Sequence, residues 1–190
     1  ANPSATTKYT VLGQTSQGCY AIPAVQTVSV SAPITPTITG SPTVCLTQTT
    51  GLVVAPSAAG LTYTWSPSAA IQGAVSNSSI SALPPSTATV IYTVIVSNGV
   101  CTGTDTAKLV VRTPPTGNFK PLNSNTICIG TCVTFSSTTT GSQPITYNWY
   151  YENGVGTSSV GPHPEACYFG HSGSFALTMV ATNACGPDSL

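Results

Sequence analysis

Charge is what this chain has least of. Four basic and four acidic side chains occur among 190 residues and cancel to zero, so there is no basic stripe for phosphate backbones and no polybasic patch for an anionic membrane. Nucleic acid is excluded as a partner. Helix formers are scarce too: there is one methionine, and the only glutamates are Glu152 and Glu165. No apolar stretch approaches the ~20 residues that cross a bilayer as a helix, so membrane insertion is not expected. The longest hydrophobic run, Val90 to Val96, is interrupted by Tyr92 and Thr93 and reads as a buried strand. Residues Ala1 to Ser4 have neither a cationic start nor an apolar segment, so a leader is expected to have been removed or to lie far upstream.

These gaps limit chemistry as well. His163 and His171 are the only histidines, and no Gly-x-Ser-x-Gly elbow accompanies the many serines. A dyad of Cys167 and His171 is the one nucleophile and base pair on offer. Glu152 and Glu165 would have to supply both carboxylates for glycoside hydrolysis, and four acids are too few for a calcium cage. No catalytic residue and no cofactor is assigned, and the chain is not expected to be an enzyme.

Against these absences stands a repeat. Cys19, Cys101 and Cys185 are 82 and 84 residues apart, and Cys45 and Cys128 are 83 apart. Trp65 precedes Cys101 and Trp149 precedes Cys185 by the same 36 residues. A fixed period of this size marks beads copied in series rather than one enzyme core. Serine and threonine supply 55 residues. With Val and Ala they make a composition of pleated sheet whose hydroxyls face water. Seven cysteines at repeat spacing, without nearby zinc-type pairs, point to an oxidising location, extracellular or at the cell surface.

Period-two patterning supplies the strands. Leu61, Tyr63 and Trp65 alternate with threonines, and Ile145, Tyr147 and Trp149 repeat the pattern one period on. Tyr92, Val94 and Val96 do the same, as do Phe175, Leu177 and Met179. Pro56 to Gly60, Pro84-Pro85, Asn98-Gly99, Asn153-Gly154 and His171 to Gly173 punctuate them as turns. The fold expected is all-β: β-sandwich domains in tandem. Three segments follow: 1–33, the C-terminal part of one domain; 34–115, a complete domain; and 116–190, a domain lacking its last strand. Both ends are read as cut. Proline-bearing linkers, Ala32 to Pro36 and Thr113 to Gly117, are expected to act as semi-rigid spacers.

The run Trp149-Tyr150-Tyr151-Glu152-Asn153-Gly154, followed by Gly173 to Asn183, resembles the signature strands of the PKD (polycystic kidney disease) repeat, with Glu152-Asn153 where that family usually has Gly-Asp. The middle segment, with Tyr63 to Pro67 and Pro85 to Val94 before Cys101, looks like the Ig-like or PKD-like repeats of very large secreted surface proteins of Bacteroidetes-type bacteria, gliding adhesins among them. The resemblance covers essentially the whole chain. It implies seven-stranded Ig-like and PKD-like sandwiches, an extracellular role in adhesion or fibre assembly, and no shared catalytic residues.

Matched spacing predicts disulfides Cys45 to Cys101 and Cys128 to Cys185, each worth roughly 4 kcal/mol by chain entropy. Cys19 would then find its partner upstream. Cys132 and Cys167 have no counterparts in the middle segment and are expected to form a second, local bond. The rival is tetrahedral zinc held by Cys128, Cys132, Cys167, His163 and His171, and it gives way to oxidation, so no metal is assigned. Asp105-Thr106-Ala107 and Asp188-Ser189-Leu190 resemble the O-glycosylation acceptor of Bacteroidetes surface proteins, which makes Thr106 and Ser189 candidate sugar attachment points. Asn77-Ser78-Ser79 is a formal asparagine sequon of little weight.

The function expected is that of a structural repeat segment in an extracellular filament or long adhesin, with other copies of itself or neighbouring repeats as partners. An uncharged surface leaves sheet edges unguarded, and a third domain without its last strand could accept one from the next bead, although the simpler and preferred reading is that the sequence is a window of a longer polypeptide that carries the remaining strands. A glycan-binding module using Tyr150, Tyr151, Tyr168 or Phe169 is the second reading. An accessory string of a secreted hydrolase is the third.

Overall fold

A computed structural model describes residues 2–152, 155–156, 161–168, 170 and 172–190. Seventeen strands follow one another among these residues. They are β1 (Thr7–Val11), β2 (Ala24–Val28), β3 (Thr37–Gly40), β4 (Thr43–Cys45), β5 (Thr50–Ala55), β6 (Thr62–Ser66), β7 (Ile71–Gln72), β8 (Ser79–Ala82) and β9 (Val90–Ser97). After these come β10 (Thr102–Arg112), β11 (Phe119–Pro121), β12 (Cys132–Ser137), β13 (Thr146–Tyr151), β14 (Val155–Gly156), β15 (Glu165–Cys167), β16 (Leu177–Asn183) and β17 (Gly186–Ser189). A single turn of 3₁₀ helix at Ser68–Ala70 is the only helix among the described residues. The chain is all-β, as its threonine- and valine-rich alternation requires.

Two compact units form. The first comprises Ala1–Gly40, Gly51–Ile80 and Ile91–Ala107, and the second Ser41–Thr50, Ser81–Val90 and Lys108–Leu190. Strands β5, β8, β9 and β10 each have residues in both. The sheets have the orders β1-β2, β3-β5-β8-β7, β4-β10-β9-β6, β11-β12-β15-β14 and β13-β16-β17. The pairs β1/β2, β3/β5, β6/β9, β11/β12, β12/β15, β13/β16, β14/β15 and β16/β17 are antiparallel, and β4/β10 is parallel, with Cys45 opposite Arg112.

In the first unit, β6 and β9 pair with Trp65 opposite Val94 and Tyr63 opposite Val96. Their inward faces bury Tyr63, Trp65, Tyr92, Val94 and Val96 with Leu52, Val54, Ala70 and Ile80. The run Val90 to Val96 is buried on one face only, because Ile91 and Ile95 stay 61% and 45% exposed. The alternation of the pleat overrides local hydropathy there. The phenol of the fully buried Tyr92 donates to the Ala70 carbonyl at 2.7 Å, and burial pushes its pKa up.

The second unit repeats the arrangement with smaller parts. β13 and β16 pair with Trp149 opposite Met179 and Tyr147 opposite Ala181. Trp149, Met179 and Ala181 form the buried cluster, and Phe119, Ile145, Tyr147, Tyr151 and Leu177 pack on it. Phe119 meets both Phe135 and Trp149 edge to face. Residues Gly186–Ser189 form β17 and pair with β16. The linker Thr113 to Gly117 is also tied down. Thr113 N–H donates to Ser142 Oγ, the Asn183 side-chain amide donates to the carbonyls of Thr113 and Ser142, and Thr116 bridges to Thr140.

Candidate functional site

Cysteine sites come first, because the structure rewrites their pairing. Cys45 is bonded to Cys185, with Cα atoms 5.7 Å apart, and both belong to the second unit. Cys132 is bonded to Cys167, its direct cross-strand partner between β12 and β15. Cys19, Cys101 and Cys128 carry free thiols. The bonds expected from spacing, Cys45 to Cys101 and Cys128 to Cys185, are therefore both replaced.

Strand geometry explains each replacement. Cys101 stands just before the first residue of the 11-residue β10, while Cys45 lies opposite its last, Arg112. At ~3.3 Å per residue that strand separates them by on the order of 35 Å, five times the reach of a disulfide. Cys185 sits in the β16–β17 turn, at the end where Asn183 holds Thr113 and Ser142. Cys128 precedes the start of β12, beside Tyr168, whose carbonyl accepts the Gly130 N–H. Since β12 runs from Cys132 toward Ser142, the two cysteines belong to opposite ends of the strands.

The two aspartates have matching roles that spacing did not disclose. Asp105 Oδ2 accepts the backbone N–H of Ile38 at 2.7 Å, and Asp188 Oδ2 accepts that of Gly117 at 2.6 Å. Each carboxylate clamps the chain entering its own repeat to the strand after the hairpin-turn cysteine. Gly103 serves the same approach, because a Cβ there would collide with the Ile34 carbonyl. Thr106 and Ser189, one residue beyond each aspartate, are exposed. Alternation along a strand forces this pairing of inward acid and outward hydroxyl. The signal was present in the sequence as two Asp-hydroxyl pairs, four residues after Cys101 and three after Cys185.

Both tryptophans repeat a second bond. Trp65 Nε1–H donates to the Asn77 carbonyl at 2.9 Å, and Trp149 Nε1–H to the Gly161 carbonyl at 3.0 Å, twelve residues ahead in each case. A buried indole needs such an acceptor.

The remaining candidates scatter. His163 is exposed, while His171, Asn153, Gly154 and Phe169 lie outside the described residues. The donor atoms of Cys132, Glu165 and Cys167 lie within 4.8 Å of one another, but the two sulfurs are joined and so are not thiolate ligands. Glu152 accepts the Ala176 N–H at 2.8 Å. Of the aromatic candidates, Tyr150 is 59% exposed, whereas Tyr151 packs on the Trp149 cluster. Tyr168 stacks on Phe175 at 4.8 Å, and burial, with Tyr151 and Glu152 nearby, raises its pKa. This pair lines a hollow of about 670 Å³ in the second unit, together with Phe119, Phe135 and Leu177.

With the strands and their cross-links placed, comparison with known structures identifies the architecture. The three N-terminal domains of the bacteriophage RB49 outer capsid protein Hoc superpose with a TM-score of 0.56 at 14% identity, over 94% of this chain and 81% of that one. Titin domains I67–I69 give 0.55 at 20% identity, over 83% of this chain and 64% of the titin fragment. Immunoglobulin domains 1–4 of Sidekick-1 give 0.50 at 14%, over 100% and 58%. The chain is a tandem of immunoglobulin-like sandwiches. At such identities the likeness concerns fold alone. No protein-family model matches the sequence, and no curated protein matches it.

Proposed function

We propose that this chain is a structural repeat segment of an extracellular filament or long cell-surface adhesin, with beads at 1–33, 34–115 and 116–190 and a PKD-like last bead. The observation that carries the reading is duplication of framework bonds. The indole-to-carbonyl bond twelve residues ahead and the aspartate clamp occur in both the 34–115 and the 116–190 repeat, whereas among the described residues no cluster of reactive groups is duplicated with them. What recurs is the means of holding one bead's strands together, which is what a load-bearing or spacing element needs. Two disulfides fit an oxidising exterior. Thr106 and Ser189 stand outward as glycan acceptors, and sugars there would add solubility to a surface nearly free of charge.

Immunogold labelling and cryo-imaging of intact cells that make the protein test this directly. Label along filaments or extended surface strings is expected, and label confined to the cell interior would overturn it. Intact-mass measurement of the native material, with peptide mapping at Thr106 and Ser189, tests the sugars. A second reading, a glycan-binding module, is favoured by the exposed ring of Tyr150 and the stacked Tyr168 and Phe175. Array binding abolished by Tyr150→Ala would promote it.

A further inference from the structure

Tension applied along the chain meets two covalent paths between Cys45 and Cys185. One is the disulfide, which holds their Cα atoms 5.7 Å apart, and the other is the backbone, with a sequence separation of 140 residues. Drawn out at ~3.4 Å per residue, the backbone path reaches on the order of 480 Å before it tightens. The shorter path therefore takes the force. Both tryptophan strand pairs lie on the longer one, β6 with β9 and β13 with β16, as does the local bond of Cys132 with Cys167.

The bond also crosses the chain at a particular place. Leu46, next to one cysteine, donates its N–H to the Arg112 carbonyl at 2.8 Å, and Asn183, two residues before the other, donates its side-chain amide to the Thr113 carbonyl at 2.9 Å. Arg112 ends β10, and Thr113 opens the proline-bearing linker. Residues beside both sulfurs thus grip consecutive positions between one tryptophan pair and the next. Immediately outside the bond the strands are short: β3 and β4 lead in to Cys45, and β17 leads away from Cys185. The carboxylate clamps fasten both approaches, since Ile38 lies in β3 and Asp188 in β17.

We propose that the Cys45–Cys185 bond is a tension bypass: force carried along the string passes through the two sulfurs and leaves both tryptophan strand pairs unloaded, so the string keeps its length when pulled. The inference rests on the repeat-string reading above and deepens it by naming the part that takes the pull. It holds whatever precedes Ala1 or follows Leu190, because the sheltered residues are those between the two cysteines. Hydrogen bonds duplicated in each repeat hold its strands in shape, and the covalent bond keeps tension from reaching them.

Single-molecule stretching of the oxidised chain, between handles joined before Ala1 and after Leu190, tests this. No unfolding step from inside the loop is expected up to the force that breaks the tether. In Cys45→Ser/Cys185→Ser protein the fully stretched length should exceed the parent's by the 140-residue separation less the 35 residues that Cys132 and Cys167 still close, about 105 residues or ~360 Å. That difference is read whether or not the variant folds. The parent pulled between Leu190 and a handle at Val100, a residue 79% exposed and within the loop, should show unfolding steps with every cysteine in place. Equal stretched lengths for parent and variant would overturn the proposal, as would a parent that unfolds in steps between its end handles, or peptide mapping that finds Cys45 linked elsewhere. Any of these beside intact surface filaments would sink the bypass and leave the string reading standing. Label confined to the cell interior would sink the string reading whatever the stretching shows.

Discussion

The strand pairs β6/β9 and β13/β16 are built on one register yet held by different means. Opposite Trp65 stands Val94, and opposite Trp149 stands Met179. Where the first pair has Tyr92 and Val96 the second has Leu177 and Ala181. The first buries two aromatic rings completely or nearly so and has no disulfide across its sheets. In the second, Trp149 is 8% exposed, Leu177 is only half-buried, and a cross-strand bond joins β12 to β15. Apolar burial and cross-linking substitute for each other in small sandwiches, because both offset the same loss of chain entropy. The framework bonds repeat because every copy needs them, whereas core volume and staples vary.

That contrast breaks most severely at the sulfurs. Replacing Cys132 and Cys167 by serine together should lower the stability of the β13/β16 region by about 4 kcal/mol, from the 35-residue separation they close. In a Trp65→Phe background, the urea transition of Trp149 fluorescence should move to lower denaturant. The matching transition of Trp65 in Trp149→Phe protein should hardly move. A shift of both by the same amount would show that the regions unfold as one.

A smaller effect is expected at Gly103. Gly103→Ala forces a methyl against the Ile34 carbonyl and should cost about 1 to 3 kcal/mol in thermal or chemical unfolding. Removal of the carboxylate clamps should be equal in the two repeats. Asp105→Ala and Asp188→Ala each leave a backbone N–H unpaired, at about 1 to 3 kcal/mol. Amide exchange should speed up at Ile38 in the first variant and at Gly117 in the second, which discriminates a local clamp from general destabilisation.

The smallest effect belongs to the tyrosine that the β13/β16 pair lacks. Tyr92→Phe deletes the bond to Ala70 and should cost about 1 kcal/mol near neutral pH. Burial raises the Tyr92 pKa, so the folded state favours the protonated phenol. Its contribution is complete below the ordinary phenol value of ~10 and is lost as pH rises through the folded one. The stability gap between parent and variant should therefore narrow above pH ~10, as read by urea midpoints.

Much of the fold was legible because a strand announces itself by alternation. Tyr63 and Trp65, and Tyr92, Val94 and Val96, face inward as their period-two spacing implies. Phe175 falls just short, preceding β16 rather than lying in it. The local pair Cys132 and Cys167, expected because neither has a counterpart in the middle segment, is bonded, whereas equal spacing misassigned the partners of Cys45 and Cys185. Equal spacing establishes that Cys45 resembles Cys128, and it carries no information about which end of a sandwich either occupies. The aspartates were visible as a repeated pattern, yet the inward use of the acid could not be separated from the outward hydroxyl until the strand's facing was known.

The sequence alone determined the period, the all-β class and the inward faces, since each follows from local residue order: spacing along the chain, propensity and the pleat. Tertiary structure alone decided that Cys45 meets Cys185, that Asp105 and Asp188 hold the entering chain, and that Cys19 and Cys128 keep free thiols. Such pairings require two distant segments to arrive within a few ångströms of each other, and chain order does not encode that approach.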